Sequence, residues 1–176
     1  MDLRTALADD IPAIERLIET SVRTLQAGDY TAVQREAALH KVFGVDRQLI
    51  ADQTYFLIED AGRLIGCGGW SYRATLFGAD ALHGRDATPL DPASDAAKIR
   101  AFFVHPDAAR RGVATRLLAV CEAAAATAGF TRLELGATLT GVAFYARHGF
   151  VAGERLEAPL GDGESLAIVR MSKTLG

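Results

Sequence analysis

Apolar residues recur along the first third of the chain at helical spacing. Ile14, Leu17, Ile18, Val22 and Leu25 fall at steps of three and four, which puts them on one face of a helix. Asp9 or Asp10 can cap its start, and Pro12 is tolerated in a first turn. Gly28 and Asp29 break the pattern, and a second helix is expected over 31–42, with Val33, Ala37 and Val42 on one side. The segment VDRQLIAD adds a short helical turn. TYFLIED and RLIGCGGWSYR then read as two strands joined at Asp60-Ala61-Gly62. Gly66, Gly68 and Gly69 in the second strand predict a bulge or the close approach of another group.

Residues 77–97 show no periodicity and carry Pro89 and Pro92, so a long loop is expected. KIRAFFV is a strand. A helix follows from about Arg111, with Val113, Leu117, Val120, Cys121, Ala124 and Ala128 on one face, and Gly129 ends it. RLELGATL alternates as a strand, Thr140 can cap the short helix GVAFYARH, and FVAGERLE and SLAIVRMSKTL give two final strands around Gly161-Asp162-Gly163. The order αα, ββ, β, α, β, α, ββ predicts an α/β (α+β) fold: a mixed sheet with helices on both faces.

Length and composition narrow the function classes. With 176 residues, the chain reads as one domain over 1–176. A net charge of −3 argues against nucleic-acid binding. Cys67 and Cys121 have no paired spacing, so neither a metal centre nor a redox pair is expected. The N-terminus lacks an apolar signal segment, and no apolar run is long enough to span a bilayer. These features suggest a cytoplasmic protein with no membrane partner.

The stretch VHPDAARRGVATRLL concentrates candidate chemistry where strand becomes helix. Pro106 ends the strand. The first N–H groups of the following helix lack internal partners and sit at its positive end, so they can bind an anion. Gly112 and Ala114 leave the backbone approachable, and Arg110 or Arg111 can add charge; ordinary solvated arginines are the competing reading. Neither a Walker loop nor a dinucleotide fingerprint is present.

This stretch resembles the acyl-CoA pyrophosphate loop of the GNAT superfamily of N-acetyltransferases. That family's Gln/Arg-x-x-Gly-x-Gly/Ala pattern falls on Ala109, Arg110, Arg111, Gly112, Val113 and Ala114, with Ala109 standing where Gln or Arg is usual. A second signature, AFYARHGF, matches the family at Phe144, Tyr145, Gly149 and Phe150. The resemblance implies a mixed, mostly antiparallel central sheet splayed in the middle. It implies acetyl-CoA as acyl donor, with its pantetheine arm along Phe102, Phe103 and Val104 and its pyrophosphate on residues 109–115, Thr115 included. It implies transfer of the acetyl group to a primary amine by direct attack in a ternary complex. Tyr145 resembles the family's general acid, which protonates the departing thiolate.

The resemblance leaves the base and the acceptor open. Some relatives place a Glu at the start of the strand before the loop, where this chain has Lys98; Glu134, His83, Asp80 and a water chain are the alternatives. The family's acceptor region points to Tyr30, His40, Trp70, Tyr72, His83 and the 77–97 loop, with core packing a competing role for Trp70. Arg147 is a candidate for the adenosine 3′-phosphate or for solvent, and Thr138 lies where many relatives place an Asn. A small-molecule or peptide amine is the expected partner. The family is often dimeric, and no feature of this sequence decides it. The alternative function is a catalytically idle acyl-CoA-binding or regulatory module.

Overall fold

A computed structural model describes residues 1–82 and 84–176; His83 lies outside the described residues. Seven strands form one sheet: β1 (Asp2–Thr5), β2 (Tyr55–Asp60), β3 (Arg63–Ser71), β4 (Ala97–Val104), β5 (Arg132–Thr138), β6 (Val151–Gly161) and β7 (Glu164–Thr174). Their spatial order is β1-β2-β3-β4-β5-β7-β6, and every neighbouring pair is antiparallel except β4 and β5. The helices are α1 (Ile11–Leu25), α2 (Ala32–Ala38), α3 (Arg47–Ala51), α4 (Val113–Thr127) and α5 (Leu139–Arg147).

The two faces of the sheet are covered separately, because strand residues alternate. Leu57, Cys67, Phe103 and Ile168 face the core built with α1, α2 and α3, where Ile14, Ile18, Val22 and Leu49 are buried. Ile58 and Ile65 face the opposite side with Val113 and Leu117 of α4; further along that side Leu118 and Cys121 pack with Leu133, Leu135 and Tyr145 of α5. The expected mixed sheet with helices on both faces is the observed one.

Several boundaries differ from the expectation, each for a local reason. β1 was not expected; its four residues are too short to show alternation, and it exists by pairing with the edge of β2. The second helix stops at Ala38 rather than Val42, because Leu39 turns extended and His40 takes φ 65°. Three amides, those of Lys41, Val42 and Phe43, then donate to the carbonyl of Ala38. Val33 is 65% exposed instead of facing the core. On α4, Ala128 lies past the end and is exposed. The cap of α5 is Thr138, not Thr140: the Gly141 N–H donates to its hydroxyl at 3.1 Å.

The glycines of β3 mark close approaches, as their clustering implied. A Cβ on Gly66 would stand 2.3 Å from Val113 Cγ1, and one on Gly69 would stand 2.7 Å from the Thr54 carbonyl oxygen. α4 therefore packs directly on β3.

Beneath the 77–97 loop lies a charge cluster that fixes β4. Arg100 is 5% exposed and Asp46 1% exposed, and their nitrogen and oxygen stand 2.7 Å apart. Arg100 also donates to the Gly78 carbonyl at 2.6 Å. Arg85 bridges Asp46 and Asp80, each at 2.9 Å. Burial lowers the pKa of Arg100 from 12.5 to about 10, against the opposing pull of Asp46, so the guanidinium stays charged at neutral pH. Asp46 also caps α3, accepting from the Leu49 N–H at 3.4 Å. Removing one partner of a buried pair leaves the other charge stranded. Asp46→Ala should therefore lower the free energy of unfolding in urea by about 3–5 kcal/mol. A loss under about 1 kcal/mol would mean that Arg100 is solvated instead.

Candidate active site

The sheet parts between β4 and β5. These strands pair only at Ala97↔Leu133 and Lys98↔Glu134, so the β5-facing edge of 99–104 has no strand partner. A bulge in β4 accompanies the parting. Cys67 faces Phe103 and Gly69 faces Arg100, which leaves Ala101 and Phe102 opposite Gly68 alone. Ala101 takes up the extra residue at φ 56°. A bulged strand bends and twists away from its neighbour.

A cavity of about 890 Å³ occupies the fork, of a size that holds a cofactor-sized group. Its floor is Ile99 to Val104. On the α4 side it is closed by residues Ala108–Arg110 and Gly112–Thr115, with Phe144, Tyr145 and His148 of α5. Of the positions expected to hold the donor, Phe102, Phe103, Val104, Ala109, Arg110, Gly112, Val113, Ala114 and Thr115 all line this one cavity.

The loop is shaped by local backbone chemistry. Pro106–Ala108 form a 3-10 turn, capped by His105, whose Nδ1 accepts from the Asp107 N–H at 3.2 Å. Arg110 and Gly112 then take left-handed conformations, φ 61° and 81°. These turns aim successive amides inward. Among the described residues the N–H groups of Gly112, Val113, Ala114 and Thr115 donate to no carbonyl. Nothing stands within 4 Å of a Cβ built on Gly112. The combination can receive an anion at the positive end of a fifteen-residue helix.

The two arginines separate. Arg110 lines the cavity and has no ion pair among the described residues. Arg111 turns away, its guanidinium donating to Asp60 at 2.9 Å. Across the cavity mouth, His148 Nδ1 stands 2.9 Å from the Phe144 carbonyl and Nε2 stands 3.2 Å from the Thr115 hydroxyl. The carbonyl can only accept, so Nδ1 carries a proton and donates to it.

Tyr145 sits in an aromatic wall, its ring 6.3 Å from Phe102, 5.0 Å from Phe144 and 5.6 Å from Phe150. Phe102 itself occupies the space left by Gly68, whose Cβ would fall 2.6 Å from the ring. The Tyr145 hydroxyl makes no hydrogen bond among the described residues, yet it is not among the fully enclosed unpartnered polar atoms, so it opens to the cavity. Burial pushes its pKa above the usual value of 10, and the phenol keeps its proton throughout the neutral range.

Of the positions considered for the acceptor, the 77–97 loop reaches the cavity through Phe77 and Gly78, and Tyr30, Trp70, Tyr72 and His40 lie elsewhere. The Tyr30 hydroxyl donates to the Ala167 carbonyl at 2.6 Å and accepts from the Leu139 N–H at 2.8 Å, tying α5 to β7. Trp70 packs edge-on against Tyr72 and Phe130, at 6.0 and 6.1 Å. Arg73 covers the Tyr72 ring at 5.0 Å. None of the three lines the cavity. His40 is exposed and stands 3.7 Å from Glu19. The candidate bases are engaged as well. Lys98 Nζ donates to Glu134 at 2.7 Å, and Asp80 is held by Arg47 and Arg85.

The far side of the cavity is formed by Phe77 of the expected loop and by residues that no sequence motif singles out: Ser21, Leu25 and Gln26 of the α1 end, with Val42 and Phe43. Gln26 carries the one signal that was available. It extends the buried series Ile14, Ile18, Val22 by another step of four, and a polar side chain on such a stripe needs a partner.

Comparison with known proteins agrees with this geometry. The model of the acetyltransferase (GNAT) family matches residues 19–150. Among solved structures, the chain is similar to a protein from Rhodopseudomonas palustris described as "GCN5-Related N-acetyltransferase: Aminotransferase, Class-II". The two share 25% identity over 99% of this chain and 95% of that one, with a TM-score of 0.73. The PaiA N-acetyltransferase of Thermoplasma acidophilum, solved in complex with coenzyme A, shares 15% identity over 98% of each chain, with a TM-score of 0.66. A ribosomal-protein-alanine N-acetyltransferase from Brucella melitensis shares 18% identity over 99% of this chain and 100% of that one, with a TM-score of 0.66. No curated protein sequence matches the chain. The chain belongs to the GNAT family, and at the level of that family it is an acetyltransferase. Among the described residues no helix is long and apolar enough to cross a membrane.

The wall of the site depends on Gly68. Gly68→Ala should drive a methyl group into Phe102 and displace it against Tyr145. The expected cost is about 1–3 kcal/mol in urea unfolding; an unchanged midpoint would mean that Phe102 moves without resistance.

Proposed function

We propose that this chain transfers the acetyl group of acetyl-CoA to a primary amine by direct attack, both substrates meeting in the fork between β4 and β5. The observation that carries the reading is the coincidence in one cavity of an unpaired β4 edge, four free amides at the start of α4, and the Tyr145 hydroxyl. The amides of Gly112 to Thr115 hold the pyrophosphate, with Arg110 adding charge from the rim. Backbone groups of Phe102, Phe103 and Val104 pair with the amides of the pantetheine arm, as an added strand would. Arg111 serves the loop through Asp60 instead of the ligand.

In the transfer, the amine nitrogen bonds to the thioester carbonyl carbon and the carbon–sulfur bond breaks. The thiolate takes the Tyr145 proton, the nitrogen gives up its extra proton to water, and water returns a proton to the Tyr145 phenolate. Burial keeps the Tyr145 phenol protonated at neutral pH, so it meets the departing thiolate with a proton to give and does not serve as the base for the amine. No carboxylate lines the cavity among the described residues, and both ring nitrogens of His148 are engaged by Thr115 and Phe144, so the amine enters in its neutral form. An idle binding module would need the same amides but not an accessible phenol on the donor path.

Two variants test separate parts. Tyr145→Phe should lower kcat by about 10²–10⁴ while the Kd of acetyl-CoA, by calorimetry, stays the same; unchanged turnover would remove Tyr145 as the acid. In the wild-type enzyme the alkaline loss of kcat caused by this group should fall above pH 10. Gly112→Glu places bulk and negative charge on the phosphate seat. It should weaken CoA binding by roughly 100-fold or more, equivalent to about 2.7 kcal/mol. Retained affinity would mean that the pyrophosphate binds elsewhere.

A further inference from the structure

With acetyl-CoA seated as proposed, the acceptor must meet the thioester from the opposite side of the cavity, and the chemistry of that side is distinct. Its wall on the α1 face is apolar, formed by Leu25, Val42, Phe43 and Phe77. The charged side chains on the whole lining are Arg100, Arg110 and Arg147, and among the described residues no Asp or Glu joins them. The carboxylates nearby are engaged: Asp46 pairs with Arg100, and Asp29 accepts from the Thr140 hydroxyl at 2.6 Å. Arg100 is neutralised by Asp46 and Arg110 stands on the pyrophosphate side, so this wall offers an entering polycation no counter-charge in return for its lost water.

One polar group on this wall is unsatisfied. Gln26 is 6% exposed, and its Oε1 is fully enclosed with no hydrogen-bond partner. Its Nε2 makes no hydrogen bond among the described residues either, and that end of the amide is not fully enclosed. A buried amide without partners is uncommon. Here its Nε2 end borders the cavity in which the acceptor must lie, and a ligand oxygen can accept from that nitrogen, while the enclosed Oε1 stays out of a ligand's reach.

The missing base points the same way. Lys98 and Glu134 hold each other, and nothing else on the described lining can take a proton from an ammonium except His148, which sits at the mouth between Thr115 and Phe144. Both ring nitrogens of His148 are engaged there, so an amine arrives neutral. At pH 7.5 about a third of an α-amine is neutral, against roughly a thousandth of a lysine-like amine.

We propose that the acceptor is a weakly basic primary amine on an apolar body, hydrogen-bonded through a neighbouring polar group to the side-chain amide of Gln26. This assignment rests on the donor seat between β4 and the start of α4. α-Amines of hydrophobic amino-acid amides and arylamines belong to this class. Polyamines and lysine side chains do not.

The test is thiol release from acetyl-CoA with phenylalaninamide, leucinamide and 4-methylaniline on one side, and spermidine and Nα-acetyl-lysine on the other. The first group should exceed the second in kcat/KM by at least roughly tenfold. Gln26→Leu should raise the acceptor KM by about fivefold or more, with the acetyl-CoA KM unchanged. Gln26→Glu should move preference toward the cationic amines, a shift that a purely structural role for Gln26 would not produce. Preference for spermidine or lysine by the wild-type enzyme, or an acceptor KM indifferent to Gln26→Leu, overturns the proposal and leaves acetyl transfer standing. Failure of every amine in the panel to release thiol, while CoA still binds, overturns both.

Discussion

Everything in the site depends on where β4 and β5 stop pairing. Two residue pairs hold the strands together, and the second, Lys98↔Glu134, is reinforced by a side-chain ion pair of 2.7 Å, with Lys98 itself 8% exposed. Beyond it the bulge at Ala101 carries β4 away. A sheet interior normally consumes its backbone donors and acceptors. Here a central strand keeps one edge open, at the bottom of a cavity and beside the N-terminus of a helix. The pair that closes the apex also removes both Lys98 and Glu134 from service as a base.

The elements around the fork are fixed from both faces. On one side, Gly66 lets α4 sit against β3, and Gly68 admits Phe102, which in turn meets Tyr145. On the other, the buried Arg100–Asp46 pair ties β4 to the start of α3 and, through Gly78, to the loop after β3. The Tyr30 hydroxyl links the start of α5 to β7. Tyr145 thus belongs to a helix held at its N-terminus by a buried phenol and at its C-terminal turn by the His148–Thr115 contact with α4.

Much of this was legible in the residues, and the parts that were not share a cause. Periodicity found α1, α4 and the principal strands because each presents several apolar residues to one core. Gly112 and the Phe144–Tyr145 pair could be recognised because the loop and α5 are local structures whose chemistry is written in consecutive residues. The three glycines of β3 announced close contacts, though not the identity of Val113, Thr54 and Phe102 as the neighbours. β1 and the early end of α2 were hidden, since one exists only by pairing across the chain and the other turns on a left-handed His40. Tyr30, Trp70 and Tyr72 lie outside the cavity, and the sequence does not tell this, because an aromatic residue looks the same there whether it lines a cavity or fills a core. Gln26 was visible only as a polar step in an apolar stripe.

The central claim is that the open edge of β4 and the first amides of α4 receive the acyl donor together. Amide hydrogen exchange, followed residue by residue with and without coenzyme A, addresses both at once. The account predicts that coenzyme A slows exchange at Gly112 to Thr115 and at one or more of Phe102, Phe103 and Val104, while the paired amides of β7 are unaffected. Unchanged exchange at both segments under saturating coenzyme A, with protection appearing instead around Trp70 and Tyr72, would contradict it.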